Sequence, residues 1–354
     1  MHTEIGHDIE KAARLLEAGE LVAIPTETVY GLAANALNAK AVARVFEVKN
    51  RPHFDPLIVH LPAGTGPESP MSGMTNMGPC RDAAKAETFL RKMLEPWALE
   101  FPAWALKLAR AFWPGPLTLV LPRKPIIPDI VTSGLDTVAL RIPAHFATLE
   151  LLARLPFPLA APSANPFGFV SPTTAQHVLD QLGGKIPYVL DGGPCGIGLE
   201  STIVGEVNGA PAILRLGGLR LEEIEAAIGT VALAPSGGKP LAPGNLESHY
   251  APRTPLYFDD LGYTKRGYPA NEVALLLYKK ELAGVPRDQQ RVLSPIGDLN
   301  EAAQKLFAAM RDLDALCVAR GLKAIFSQKF PDQGLGRAIN DRLKRASATR
   351  SVSP

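Results

Sequence analysis

The sequence predicts an α/β protein built as two domains, and three observations carry that expectation. Short apolar runs punctuated by proline and glycine alternate with stretches of helical period, as strands and helices do when packed in layers. The chain has 354 residues, more than one hydrophobic core comfortably serves. Between residues 229 and 254 the composition turns to breakers, as in Ala234-Pro235-Ser236-Gly237-Gly238-Lys239-Pro240, which marks a linker. The boundaries expected are therefore 1–228 for a first domain, 229–254 for the linker and 255–354 for a smaller second domain.

Asp8–Ala18 reads as the first helix, because Ile9, Ala12, Ala13, Leu15 and Leu16 recur at helical spacing and Gly19 follows as a stop. Leu21–Ile24 is a strand, Ala39–Val48 a helix with Val42, Val45 and Phe46 on one face, and Leu57–Leu61 a buried strand. From Pro62 to Phe101 the pattern changes. Gly64–Met74 has no period and many breakers, so it reads as a surface insertion, while Ala83–Met93 lacks Gly and Pro and reads as a helix. The whole stretch is expected to be a solvent-exposed elaboration rather than a lid.

Ala103–Phe112 is a helix stopped by Trp113-Pro114-Gly115-Pro116, and Leu117–Leu121 and Thr137–Ile142 are strands. His145–Leu155 and Thr173–Leu182 read as helices around a short strand at Leu159–Ala161. Strands at Tyr188–Leu190, Ser201–Val207 and Ala212–Leu216, then a helix at Leu221–Ile228, complete the first domain. In the second, strands at Leu256–Phe258, Val273–Tyr278 and Ala324–Ser327 alternate with helices at Leu299–Arg320 and Gly336–Lys344. Asp298 with Glu301 three residues on reads as a capping box, and Cys317 falls on the long helix's core stripe. Alternation of this kind predicts a small parallel sheet.

Composition bounds the function. Thirty-seven basic against 35 acidic residues give +2, too little for a whole-surface attraction to nucleic acid or anionic lipid. Cys80, Cys195 and Cys317 are odd in number and far apart, which argues against a disulfide framework and a Cys-x-x-Cys zinc site, and suits a reducing cytoplasm. Met1-His2-Thr3-Glu4 has no basic-then-apolar leader, and no apolar run reaches the roughly 20 residues a bilayer requires. The loop of an ordinary P-loop ATPase and the Gly-x-Gly-x-x-Gly dinucleotide fingerprint are missing, as are Gly-x-Ser-x-Gly and His-Glu-x-x-His.

What the first domain does carry is cations and small hydroxyls at strand ends. Thr26, Thr28, Lys49, Arg51 and His60 crowd between two core strands in the stretch from Ile24 to Leu61. Arg141 and Arg215 end other apolar elements, and Ser163, Asn165, Ser201 and Thr202 lie in polar loops beside strands. Ligands of open α/β sheets bind beyond strand ends, and four cations with hydroxyl donors suit a polyanion such as a nucleotide triphosphate together with a carboxylate.

At this point the chain resembles the threonylcarbamoyl-AMP synthases, the YrdC-like proteins, in their long two-domain form. The matching pieces are Pro25-Thr26-Glu27-Thr28-Val29-Tyr30-Gly31-Leu32, Lys49-Asn50-Arg51-Pro52 with Pro56-Leu57-Ile58-Val59-His60, and Trp113-Pro114-Gly115-Pro116-Leu117-Thr118. Arg141-Ile142-Pro143, Ala161-Pro162-Ser163-Ala164-Asn165, Glu200-Ser201-Thr202-Ile203-Val204 and Leu214-Arg215 follow in order. Pro243-Gly244 and His249-Tyr250-Ala251-Pro252 resemble the family's interdomain segment, and Gly334-Leu335-Gly336-Arg337-Ala338-Ile339 its C-terminal domain. The resemblance implies a YrdC-like twisted mixed sheet flanked by helices, followed by a smaller Rossmann-like parallel α/β domain.

It also implies an activity. L-threonine, bicarbonate and ATP would give threonylcarbamoyl-adenylate and pyrophosphate, for the threonylcarbamoyladenosine modification of tRNA by a downstream transferase complex. Carried onto this sequence, Lys49, Arg51, Ser163 and Asn165 would hold the phosphates, with Thr118, Arg215 and Tyr250 also on the ATP side. Thr26, His60, Arg141 and Ser201 would hold threonine, Arg141 facing its carboxylate, and His249 would cover the site. Magnesium is expected on the nucleotide's phosphates. No catalytic base is assigned, because a carbamate is already an anionic nucleophile and alignment with charge neutralisation carries the step. The 62–101 insertion is longer than the family's usual one, and Asn245-Leu246-Glu247-Ser248 is less basic than its counterpart. Two other readings stand beside this one. A double-stranded RNA-binding module, or direct tRNA contact, would suit a concave basic surface, and the near-neutral charge counts against it. The YrdC-like unit of hydrogenase maturation proteins comes with zinc-finger cysteines and an acylphosphatase-like region, neither of which this sequence has.

Overall fold

Two sheets organise the computed structural model, which describes residues 2–64, 83–235, 249–259 and 261–348. The breaker-rich segment at 65–74, Cys80 and the linker residues 236–248 named above lie outside them.

The first sheet contains β1 (Glu4–Gly6), β2 (Val22–Ile24), β3 (Gly31–Asn35), β4 (Ile58–His60), β5 (Leu117–Pro122) and β6 (Thr137–Arg141). It continues with β7 (Leu159–Ala160), β8 (Tyr188–Leu190), β9 (Thr202–Val207), β10 (Ala210–Arg215) and β11 (Ala232–Leu233). Their order is β1-β8-β2-β3-β7-β4-β6-β5-β9-β10-β11. The sheet is mixed: β4 runs parallel to β6 and β5 to β9, while β2–β3, β3–β7 and β5–β6 are antiparallel. Around it lie α1 (Ile9–Glu17), α2 (Ala39–Lys49), α3 (Ala83–Leu94), α4 (Ala103–Phe112), α5 (Asp129–Thr132), α6 (Phe146–Arg154), α7 (Ala175–Leu182) and α8 (Leu221–Ile228). Asp8 caps α1 by accepting from the Lys11 amide at 2.8 Å, and Asn38 caps α2 in the same way.

Register places the site. β4 and β6 pair so that His60 stands opposite Arg141, and β2 hands over to β3 through the turn Pro25–Tyr30. Strands this short bury every side chain of β2 and β4, so their polar termini open inward, where a cavity can form.

The second sheet, β12 (Leu256–Phe258), β13 (Val273–Leu277), β14 (Gln290–Val292) and β15 (Ala324–Ser327), is parallel throughout in the order β12-β15-β13-β14. α9 (Leu299–Arg320) and α10 (Leu335–Ser347) pack on it. This is the expected mixed sheet followed by a smaller Rossmann-like one. An apolar cluster crosses between the domains, bringing Val29, Val170, Leu199 and Tyr250 against Phe307, Met310 and Ile339.

Several expectations need correction. α3 is not a solvent-exposed elaboration, because Leu90 and Leu94 are buried in the main core beside Leu61 and Leu106. Asp298 caps α9 alone, through the Asn300 amide, while Glu301 turns to Ser294 and Lys305, so the box does not close. β1, β3, β11, β14 and α5 were not expected, and β11 pairs with β10 inside the stretch read as linker. Cys317 sits in the core as anticipated.

Candidate active site

The turn after β2 is built by one hydroxyl. Thr26 Oγ1 donates to the Val29 carbonyl at 2.6 Å, accepts from the Thr28 and Val29 amides, and lies 2.7 Å from Thr28 Oγ1. Such a side-chain-to-backbone closure fixes the loop without a longer turn. Gly31 opens β3 where the chain passes Ala161 and Pro162 closely: an added Cβ would meet Ala161 Cβ at 3.2 Å. Gly31 bridges to Ser163. The loop after β7 is thereby docked beside the turn.

Thr26, Arg51, His60, Arg141, Ser163, Ser201, Arg215, His249 and Tyr250 all line one cavity here, with Thr28, Val29, Gly31, Ile58, Ala161, Pro162 and Glu200. Lys49, Thr118 and Asn165 stand one layer behind. Lys49 Nζ donates to the carbonyls of Ser163 and Asn165, and Thr118 Oγ1 lies 2.7 Å from Ser201 Oγ. Thr28 was noticed in the sequence as part of the polar stretch, but Glu200 was passed over although it precedes Ser201. An acidic residue beside the hydroxyl of an apolar strand was the available signal.

The cations are unusually buried, and each is oriented by the protein. Arg141 Nη2 donates to Glu27 Oε1 at 2.6 Å and to Thr28 Oγ1 at 2.9 Å, and its Nε donates to the Gly115 carbonyl. Glu27 is held in turn by the Ala144 amide at 2.9 Å. Arg51 spans the turn after α2, donating from Nε to the Asp55 carbonyl and from Nη2 to the Pro56 carbonyl, with Asp55 Oδ2 at 2.9 Å. Arg215 donates to the Ser201 carbonyl and hydroxyl at 2.9 and 3.2 Å.

Electrostatics follow from that crowding. Burial, then the Arg51 charge, holds the Lys49 ammonium well below its ordinary pKa. Burial and the Arg141 charge push the His60 imidazole down to about 3, so it is neutral at physiological pH. His249 is depressed by burial and then by Arg51 and Lys49. Nδ1 of His60, Nδ1 of His249 and Oδ1 of Asn165 are buried without a hydrogen-bond partner. Unpaired polar atoms among clustered cations are what an anionic, hydrogen-bonding ligand would satisfy.

The cavity itself holds about 50 Å³, room for a few water molecules. His249 and Tyr250, both buried, form part of its wall, with ring centroids 4.1 Å apart. Tyr250 adopts a left-handed backbone (φ +63°), uncommon for a bulky residue.

Fold and pocket together define a YrdC-like domain with a small-molecule site at its strand ends, joined to a parallel α/β domain. A family model described as "Telomere recombination" matches residues 14–66 and 80–217, and one described as the C-terminal domain of threonylcarbamoyl-AMP synthase matches 219–348. The threonylcarbamoyl-AMP synthase of Pyrococcus abyssi is 38% identical, covering 97% of this chain and 95% of its own length. That of Bacillus subtilis is also 38% identical over 97% and 94%, and that of Schizosaccharomyces pombe 34% over 98% and 90%. The crystal structure of P. abyssi Sua5 complexed with L-threonine superposes with a TM-score of 0.82, at 35% identity and 98% coverage of both chains. The chain belongs to the threonylcarbamoyl-AMP synthase family in its two-domain form. Among the described residues no helix is long and apolar enough to cross a membrane.

Proposed function

We propose that this pocket makes threonylcarbamoyl-adenylate from L-threonine, bicarbonate and ATP, as a nucleotidyltransferase serving tRNA modification. The observation that carries this reading is that Thr26, Thr28, His60, Arg141 and Ser201 line one cavity together with the cations Arg51 and Arg215. A full-length relative is solved with L-threonine, and in this chain the Arg141 guanidinium, which lines the cavity beside Thr28, suits the amino acid's carboxylate.

The chemistry needs few protein protons. Threonine's amine and bicarbonate give a carbamate and water. A carbamate oxygen then attacks the α-phosphorus, forming a P–O bond as the α–β anhydride breaks and pyrophosphate leaves with the electron pair. Arg51, with Lys49 behind Ser163 and Asn165, and Arg215 beside Ser201, supply the positive field in which that charge develops. Thr118 fixes the Ser201 hydroxyl, and neutral His60 is a hydrogen-bonding clamp rather than a base. His249 and Tyr250 cover the nucleotide.

Magnesium belongs on the nucleotide's phosphates. Of the carboxylates at the site, Glu200 is tied to Arg342 and Glu27 to Arg141, so neither is placed to give an oxygen to the ion. The cytoplasm, where ATP and tRNA meet, is the compartment this reading requires.

The test is to incubate the purified protein with labelled bicarbonate, ATP and each amino acid in turn. Label is expected in an adenylate only with L-threonine. Equal adenylate formation without threonine would defeat the assignment.

A further inference from the structure

One charged side chain of the second domain reaches the pocket from behind. Arg342, on α10, is fully buried, and its Nε donates to Glu200 Oε2 at 2.9 Å. Its Nη2 donates to the Leu216 carbonyl at 2.8 Å, next to Arg215, and its guanidinium lies 4.9 Å from the centre of the Tyr250 ring. Asp341 holds Nη1 at 2.7 Å. Glu200 has its other oxygen on Ser171 Oγ at 2.5 Å. Burial opposes ionisation of Glu200, but Arg342 and then Arg215 hold its carboxyl below the ordinary value.

The same domain contacts the pocket a second time. Gly198 (φ +78°) lies so close to α9 that a Cβ would fall 2.6 Å from the Ala303 carbonyl oxygen. The Gly198 and Ile197 amides donate to the Thr28 and Glu27 carbonyls. Phe307 of α9 stacks on Tyr250 at 5.6 Å.

We propose that Arg342 is a positioning residue of the pocket: it fixes Glu200 and the Tyr250 ring in the cavity wall, so the second domain sets the pocket's geometry. Without the guanidinium, the nearest cation for Glu200 is Arg215, and a carboxylate drawn to Arg215 pulls it from Ser201. Tyr250 loses the cation over its ring and with it support for its left-handed backbone.

The kinetic consequence rests on the reading of the pocket as a threonylcarbamoyl-AMP synthase site; the structural one does not. In the full chain, Arg342→Met, Arg342→Lys and Arg337→Ala are compared by pyrophosphate release. Arg337, on the same helix, crosses the interface to Glu222 away from the pocket. Arg342→Met is expected to raise KM for threonine about 10-fold, since small misplacements cost that much. Arg342→Lys should recover part of this, keeping the charge but not the planar fork, and Arg337→Ala should stay within about twofold of wild type. A lower kcat in proportion to the folded fraction with KM unchanged would mean a structural role only and would overturn the proposal. Should Arg342→Met not fold, Arg342→Lys decides: a raised KM at a native thermal midpoint supports the proposal, an unchanged one overturns it. Hydrogen exchange at the His249 and Ala251 amides, which bond to the Arg345 and Gly168 carbonyls, needs no turnover. Exchange about 10-fold faster in the Arg342 variant than in Arg337→Ala is expected. Equal rates would refute the hold on Tyr250 whatever the wild-type enzyme does with threonine.

Discussion

The ends of the two sheets treat burial in opposite ways. Around the first, Lys49, Arg51, His60, Arg141 and Arg215 are each 7% exposed or less. At the ends of β13 and β15 in the second, the Tyr278 amide donates to Gln328 Oε1 at 3.1 Å and the Tyr278 hydroxyl donates to the Gly297 carbonyl. Its cores hold Leu275, Leu277, Phe307, Phe326 and Ile339. Burying a cation costs several kcal/mol unless partners or a ligand repay it. The first sheet carries that cost four times around one cavity, at Lys49, Arg51, Arg141 and Arg215 with a neutral His60 among them, and the second sends a fully buried cation, Arg342, to the first. The difference is that the first domain's strand ends keep cations around a cavity, whereas these strand ends of the second are closed by its own side chains.

Breaking the first region should have the largest effect where the cation faces substrate most directly. Arg141→Ala is expected to lower kcat/KM for threonine about 100-fold or more, because a buried charge-assisted pair is lost and Glu27 is stranded. ATP affinity measured by calorimetry should change little. A comparable loss for both substrates would move Arg141 off the threonine side. Lys49→Ala and Arg51→Ala should each weaken ATP about 10-fold, the order of one charge-assisted hydrogen bond. Unchanged affinity in both would end their phosphate roles.

Acid titration sharpens the contrast further. His60 titrates near 3 when folded against about 6.5 when unfolded. The unfolded state therefore binds the proton first, and the stability that neutral His60 contributes is complete above about 6.5 and is lost as pH falls toward 3. Between pH 6 and 5 the unfolding free energy should drop by about 1.2 kcal/mol more in wild type than in His60→Asn. Parallel slopes in denaturant titrations would contradict the depressed value. Tyr250→Ala has the smallest expected effect, a product-release rate about threefold higher in stopped-flow, since one ring of the cavity wall is lost while His249 remains. An unaltered rate would remove Tyr250 as a cover.

Much of this architecture was legible in the sequence because its signals are local. Ala103–Phe112, Leu221–Ile228 and Leu299–Arg320 have the bounds their periodicity gives, stopped by Trp113-Pro114, Gly229 and Gly321. The strands that escaped notice lack such signals. β3 reads Gly-Leu-Ala-Ala-Asn, poor strand formers held only by β2 and β7 on either side. β1 exists through its pairing with β8, more than 180 residues away. The pocket was traced through motifs whose polar residues are adjacent in sequence. The residues that orient it were not, since Glu27 meets Arg141 across 114 residues and Glu200 meets Arg342 across 142. Arg342 did leave one trace. It falls on the apolar stripe Leu335, Ala338, Ile339, Leu343 and Ala346 of α10, where a charge requires a buried partner.

The most direct test of the central claim is the rate of pyrophosphate release from ATP by the wild-type protein, with threonine and bicarbonate supplied together and each withheld in turn. The account predicts release only when both are present, and its loss in Arg141→Ala. Release at the same rate with either one omitted would contradict it.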